Sequence, residues 1–152
     1  MSIALDFTEK QTILVVDDAP DNLALMRGLL APHYRVKVAN RGEKALVIAT
    51  SEDPPDLILL DIMMPGMDGH AVCRALKENS ETQHIPVIFL TARATALDEQ
   101  VGFDLGAVDY ITKPVNPPVV LARVKAHLAQ KMMADYLRER AAALETQLGE
   151  AS

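Results

Sequence analysis

Tryptophan is absent, and three phenylalanines with three tyrosines are all the aromatic residues the chain has. Hydrophobic residues nevertheless make up 49% of its 152 positions, so a one-domain core must be filled by aliphatic side chains and methionine. Cysteine occurs once, as Cys73, which excludes an intramolecular disulfide and suits a reducing compartment. Basic residues form no dense cluster and the net charge is −6, which argues against autonomous nucleic-acid binding. No apolar run approaches the length of a membrane span, and Met1 to Lys10 lack a signal-peptide pattern. The expectation is a soluble, cytoplasmic protein with no membrane partner. Histidines 33, 70, 84 and 127 are scattered, and with one cysteine they form no set of zinc-like spacing. Internal repeats and low-complexity linkers are also missing.

Five short apolar runs stand out instead. Thr12-Ile13-Leu14-Val15-Val16 ends at Asp17 and Asp18, and Tyr34 to Ala39 alternates with a strand's period of two. Leu57-Ile58-Leu59-Leu60 ends at Asp61, ahead of the turn sequence Met63-Met64-Pro65-Gly66. Ile85 to Leu90 ends at Thr91, and Asp109 to Thr112 ends at Lys113-Pro114. Between them lie helix-period stretches. One begins at Pro20 and carries Leu23, Met26, Leu29 and Leu30. Another runs from Gly42 to Glu52, and a third is capped by Asp68 and runs through Glu78. A fourth spans about Ala96 to Leu105, followed by Gly106 at the expected C-terminal position. The last starts near Pro117-Pro118 and meets no breaker before Gly149. Strands alternating with helices predict an α/β domain: a doubly wound, five-stranded parallel sheet with an extended C-terminal helix.

In such a sheet the carboxyl ends of the strands share one edge, where ligand sites form. Asp17, Asp18, Asp61, Thr91 and Lys113 all fall there. Taken singly, each has a bland explanation: Asp61 a turn aspartate, Asp18 and Thr91 helix caps, Lys113 a solvated terminus. Together those explanations require independent accidents at one edge. Three clustered carboxylates cannot comfortably ionise together without a cation. All-oxygen ligation with open water positions favours Mg²⁺, which also bridges to phosphate. Lys113 supplies a point charge and Thr91 a hydroxyl for phosphoryl oxygens. Asp61, alone at its strand end, is the candidate nucleophile for an acyl phosphate.

The order Asp17-Asp18, then Leu59-Leu60-Asp61-Ile62-Met63-Met64-Pro65-Gly66-Met67-Asp68-Gly69, then Leu90-Thr91-Ala92, then Asp109-Tyr110-Ile111-Thr112-Lys113-Pro114 resembles the receiver domain of two-component response regulators. The resemblance covers about Thr12 to Leu128. It implies a flavodoxin-like fold with strand order 2-1-3-4-5. It also implies phosphorylation of Asp61 by a sensor histidine kinase or phosphotransfer protein. Mg²⁺ would be held by Asp18, Asp61 and the Met63 backbone carbonyl, with Asp17 assisting mostly through water. Thr91 and Tyr110 match the family's switch pair, with Thr91 drawn toward the phosphoryl group and the Tyr110 ring moving in from an outward position. The Lys113-Pro114 bond matches one that is cis in relatives. In the family, the residues two past the phosphoacceptor and two past the switch threonine tune hydrolysis. Here they are Met63 and Arg93, and neither can act as a base for water.

The alternative of another class is a Mg²⁺-dependent phosphatase with an aspartyl nucleophile. Such enzymes place a second acid where Met63 stands and need a substrate-capping insertion, whereas these loops are short. A non-enzymatic switch is the expectation. A third possibility is a purely structural dimerisation module.

The chain thus divides into an N-terminal tail (1–11), the receiver (12–128) and a helical extension (129–152). In the extension Leu137, Ala141, Leu144 and Leu148 are spaced 4-3-4, with Met133 four residues ahead and charges on the flanks. That is a short coiled-coil seam, pointing to a homodimer rather than a frayed tail. Asp109 and Arg123 also match members of a dimerising set on the face of the fourth helix, fifth strand and fifth helix, although Val119 stands where a partner acid is usual. The run from Tyr110 to Leu128 resembles regulators whose receiver precedes a cyclic-di-GMP enzyme, especially the HD-GYP phosphodiesterases. Two readings stay open: a piece of a longer chain ending in a signalling helix, or a stand-alone regulator.

Overall fold

The computed structural model describes residues 10–92 and 96–151. Ten elements alternate along it: β1 (Thr12–Val16), α1 (Pro20–Leu30), β2 (Arg35–Ala39), α2 (Gly42–Ala49), β3 (Leu57–Asp61), α3 (Gly69–Glu78), β4 (Val87–Thr91), α4 (Ala96–Asp104), β5 (Asp109–Thr112) and α5 (Pro117–Ala151). The five strands pair in parallel in the order β2-β1-β3-β4-β5, the flavodoxin-like arrangement. β1, β3 and β4 are buried along their whole length, which is why they read as continuous apolar runs rather than alternating ones.

Successive residues of each strand serve opposite faces. Leu14, Val16, Ile58, Leu60 and Phe89 point to the α2–α3 side, where they meet Ala45, Ala49, Val72 and Leu76. Ile13, Val15, Leu57, Leu59, Ile88 and Leu90 point to the α1–α5 side and meet Met26, Leu30, Val120, Val124 and Leu128. Among the described residues, Phe89 is the sole phenylalanine in either core, the other buried members being aliphatic, methionine, Cys73 and Tyr110, with Tyr34 partly buried against the second. Among the described residues, no helix is long and apolar enough to cross a membrane.

Element ends differ from the sequence reading where local hydrogen bonds intervene. α2 stops at Ala49 rather than Glu52, because the hydroxyls of Thr50 and Ser51 turn back onto the carbonyls of Leu46 (2.8 Å) and Ile48 (2.6 Å). β4 begins at Val87 rather than Ile85, the intervening Pro86 having no N–H for the ladder. α4 closes in a Schellman motif, with the Gly106 N–H donating to the Phe103 carbonyl and the Ala107 N–H to that of Gly102, both 3.0 Å. Gly106 takes the left-handed φ of +104° that this cap requires. α5 continues through Gly149 to Ala151, so that glycine does not end it.

α3 starts close behind the site. The Asp68 side chain caps it by accepting from the Ala71 N–H at 2.9 Å, and Gly69 donates to the Ile62 carbonyl at 2.9 Å. A Cβ on Gly69 would lie 2.4 Å from the Asp61 carbonyl oxygen and 2.7 Å from the Ile62 Cα, both backbone atoms that cannot swing aside. Gly69→Ala should therefore lower unfolding free energy by about 1–3 kcal/mol, the usual cost of overpacking, as read from urea denaturation. An unchanged midpoint would mean that the β3–α3 junction opens freely.

Candidate functional site

The parallel ladders deliver the chemistry-bearing residues to one edge and stitch them together there. The Asp17 N–H donates to the Ala39 carbonyl (3.1 Å), Ile62 to Leu90 (3.3 Å) and Lys113 to Thr91 (2.7 Å). The register places Asp61 beside Leu90, one residue before Thr91, and pairs Thr91 with Thr112, one before Lys113. Asp17, Asp61, Thr91 and Lys113 thus ride on backbone already committed to the sheet.

One carboxylate oxygen from each of Asp17, Asp18 and Asp61 lies within 4.8 Å of the others. Asp17 and Asp61 are buried, at 1% and 5% exposure, while Asp18 opens to solvent. The Lys113 ammonium reaches across 96 residues of sequence to Asp17 Oδ2 at 2.9 Å and to Asp61 Oδ1 at 3.4 Å. Asp17 is otherwise saturated: its Oδ1 accepts from the Ala19 N–H (2.9 Å), and its Oδ2 also accepts from Asn22 Nδ2 (3.2 Å). The oxygens of Asp18 and Asp61 are the more available ones.

Burial, reinforced by the charge of Asp17, pushes the Asp61 pKa up, although Lys113 and the Met63 backbone N–H pull the other way. For Lys113, burial disfavours the ammonium, but the hydrogen bond to Asp17 and the charge of Asp61 outweigh it, and its pKa is raised. Among the described residues, the arrangement is a dense negative pocket with one lysine ammonium fixed in it. Its all-oxygen donor set fits a hard divalent ion such as Mg²⁺.

Thr91 is buried at the neighbouring strand end. Tyr110, expected to start outward, lies inward: its ring packs on Phe89 (centroids 5.4 Å) and edge-on to Phe103 (5.4 Å). α4 accommodates it through Gly102, where any Cβ would fall 1.8 Å from the tyrosine hydroxyl. Met63 is 77% exposed, and its backbone N–H bonds to the Asp61 carboxylate. Arg93 lies outside the described residues. The Lys113-Pro114 bond is cis.

Two features had no signal in the sequence. Asn22 enters the pocket because α1 turns it back toward Asp17, and with Leu25, Met26, Leu90, Pro114 and Val115 it lines a cavity of about 150 Å³ beside Lys113. At the far side of β5, Asp109 is shared within the chain. Its Oδ1 meets Arg123 Nη1 (3.3 Å) and its Oδ2 meets His127 Nε2 (3.0 Å), while Arg123 also donates to the Tyr110 carbonyl. The acid and base expected to face a second copy are closed on each other.

The sequence model of the response regulator receiver domain matches residues 13–125. A probable cyclic di-GMP phosphodiesterase of Vibrio cholerae is 50% identical over 137 residues, covering 90% of this chain and 31% of that protein. The response regulator PleD of Caulobacter vibrioides is 46% identical over 131 residues, covering 86% of this chain and 29% of its own length. The chain thus spans less than a third of these relatives. Among solved structures, a CheY-like receiver domain protein from Methanospirillum hungatei superposes with a TM-score of 0.76 at 26% identity, covering 83% of this chain and 99% of that one.

The pocket's charges make opposite stability effects measurable. Because the folded pKa of Asp61 is raised, the native state holds a proton that the unfolded chain releases, so stability falls as pH rises through that window. Asp61→Asn should raise the melting temperature by a few degrees at neutral pH without divalent ions, and the gain should vanish well below pH 3.8. Lys113→Ala should do the reverse, costing about 3 kcal/mol or somewhat less because the ammonium keeps 23% exposure. The stabilisation from Lys113 is complete below pH 10.5 and lost as pH passes its raised folded value.

Proposed function

We propose a function from one premise: the chain belongs to the response regulator receiver domain family. Asp61 accepts a phosphoryl group from a histidine kinase or phosphotransfer protein, and the change is passed on through the α4-β5-α5 face and α5 to an output domain or partner. The observation that carries this is the Asp61 carboxylate, 5% exposed, between the Lys113 ammonium at 3.4 Å and the paired acids Asp17 and Asp18. A carboxylate oxygen of Asp61 attacks phosphorus, the P–N bond to the donor imidazole breaks, and the imidazole leaves as the neutral base once protonated.

Asp18, Asp61 and the Met63 carbonyl would hold Mg²⁺, which when bound neutralises charge on the transferring phosphoryl oxygens. Saturation of Asp17 by Ala19, Asn22 and Lys113 supports a role for it through water. Lys113 pairs with a phosphoryl oxygen, and Thr91 offers its hydroxyl to another. The donor approaches beside α1, where Leu25 is 59% exposed and joins Gly28, Leu29, Val115 and Pro117 in an apolar groove next to the pocket. The incoming phosphoryl group adds roughly −1.5 to −2 charge, which biases Thr91 and the Tyr110 ring. Residues 12–128 form this switch and 129–152 its helical extension, which joins two copies. A kinase donor places the reaction in the cytoplasm.

The phosphatase alternative finds no support, since the position two past Asp61 carries an exposed methionine instead of an acid. Acetyl phosphate with Mg²⁺ should add one phosphoryl group, seen by intact mass, and Asp61→Ala should abolish it. Steady release of phosphate from many esters would instead favour the phosphatase. With no base at Met63 or Arg93, the adduct should persist for many minutes, and decay within seconds would contradict that reasoning. Thr91→Ala should still accept the phosphoryl group but lose the phosphorylation-dependent change in self-association. If that change survives, the threonine does not drive the switch.

A further inference from the structure

α5 leads two lives. Up to Leu128 it is pinned to the sheet by Val120, Val124 and Leu128. Beyond that, Lys131 ties it to Asp56 before β3 (3.9 Å) and to Asp135 (2.6 Å), and Arg138 also takes Asp135. The helix then runs on to Ala151 with an apolar stripe in solvent: Met133, Leu137, Leu144 and Leu148 are all exposed, the last at 71%. Twenty residues of helix extend about 30 Å, and a single uncovered helix of that kind is marginal in water.

The charges beside the stripe identify what covers it. With Leu137 and Leu144 at d positions and Ala141 and Leu148 at a positions, Arg140 falls at g and Glu145 at e. In a parallel, in-register pair of helices a g residue faces the e residue five positions on in its partner, and here that is arginine opposite glutamate, twice by symmetry. Among the described residues neither Arg140 nor Glu145 has an ion pair within the chain, whereas Arg138 is already held by Asp135. An antiparallel pair would bring e against e, setting Glu145 against the committed Arg138. We propose that this stripe docks on a second copy of the chain as a parallel, in-register two-stranded coiled coil, with Arg140 and Glu145 cross-pairing to set orientation and register. Small Ala141 at an a position lets the helices approach closely. The intramolecular closure of Asp109 with Arg123 and His127 takes that acid and that base out of any competing contact on the α4-β5-α5 face.

The proposal rests on the dimer component of the function above and not on phosphoryl transfer, so every readout is repeated with Asp61→Ala, whose behaviour is expected to match the wild type without phosphodonor. Sedimentation of the full chain, with and without beryllofluoride and Mg²⁺, should show a dimer in at least one condition. Arg140→Glu and Glu145→Arg should each weaken it about tenfold at low salt, since two attractions become two repulsions. Mixing the two variants, or combining both changes in one chain, should restore it, which also excludes misfolding as the cause. Leu148→Cys should crosslink 148 to 148 on oxidation while the wild type does not. In an antiparallel pair 148 sits opposite 137, roughly 16 Å away along the helix, and no crosslink forms. A monomer in both conditions, a dimer indifferent to the charge reversals, or a dimer that fails to crosslink at 148 would each overturn the proposal.

Discussion

The contact on which the rest of the molecule turns is the Lys113 ammonium lodged between Asp17 and Asp61. Two buried carboxylates beside a third cannot all hold their charge in a pocket of low polarity without compensation. One lysine, brought from the far end of the sheet, supplies part of it and leaves a deficit of positive charge. That deficit is the functional property. The fold holds the pocket in a state that a divalent cation would relieve, and the stability spent on this comes from the aliphatic cores on either side. The raised pKa of Asp61 has the same origin, burial first and then the charge of Asp17.

The same sheet joins that pocket to the helices around it. β4 and β5 carry Thr91 and Lys113 at one end, and Phe89 and Tyr110 two or three residues earlier. The aromatic contacts continue outward from Phe89 to His70 on α3 and from Tyr110 to Phe103 on α4, so three of the chain's six phenylalanines and tyrosines meet beside the strand ends of β4 and β5. Gly102 is needed there because the tyrosine hydroxyl occupies the space a side chain would take. On the other flank of β5, Arg123 binds both the Asp109 carboxylate and the Tyr110 carbonyl, which ties α5 to the strand that bears Tyr110.

α5 is therefore both core and lever. Its first turns bury Val120, Val124 and Leu128 against β1 and β3, and its later turns project an uncovered apolar stripe. A rigid connection between the two follows from continuous backbone hydrogen bonding, with no proline and no kink-forming cap between them. Even Gly149 is carried within the helix, since one glycine costs only about 1 kcal/mol against a long run of good helix formers.

Much of this was legible in the residues themselves. Continuous apolar runs ending in Asp17, Asp61 and Thr91, with a fifth strand ending at Lys113, announced buried parallel strands and a shared edge, because burial on both faces removes alternation and leaves polarity only at the ends. The strand order and the flavodoxin-like topology came with the family resemblance, since periodicity is blind to which strands are neighbours. Local competition was not legible: α2 ends early on hydroxyl-to-carbonyl bonds whose geometry composition does not reveal. Nor were the contacts that depend on three-dimensional approach. These include Asn22 on Asp17, the closure of Asp109 by Arg123 and His127, and the inward placement of Tyr110 against Gly102. The sequence by itself determined which residues end strands and which faces are apolar, because hydrophobic spacing acts along the chain. Only the tertiary structure decided which charges meet, how deeply they are buried and where a ring finds room, because those energies depend on distances between segments that the chain order leaves open.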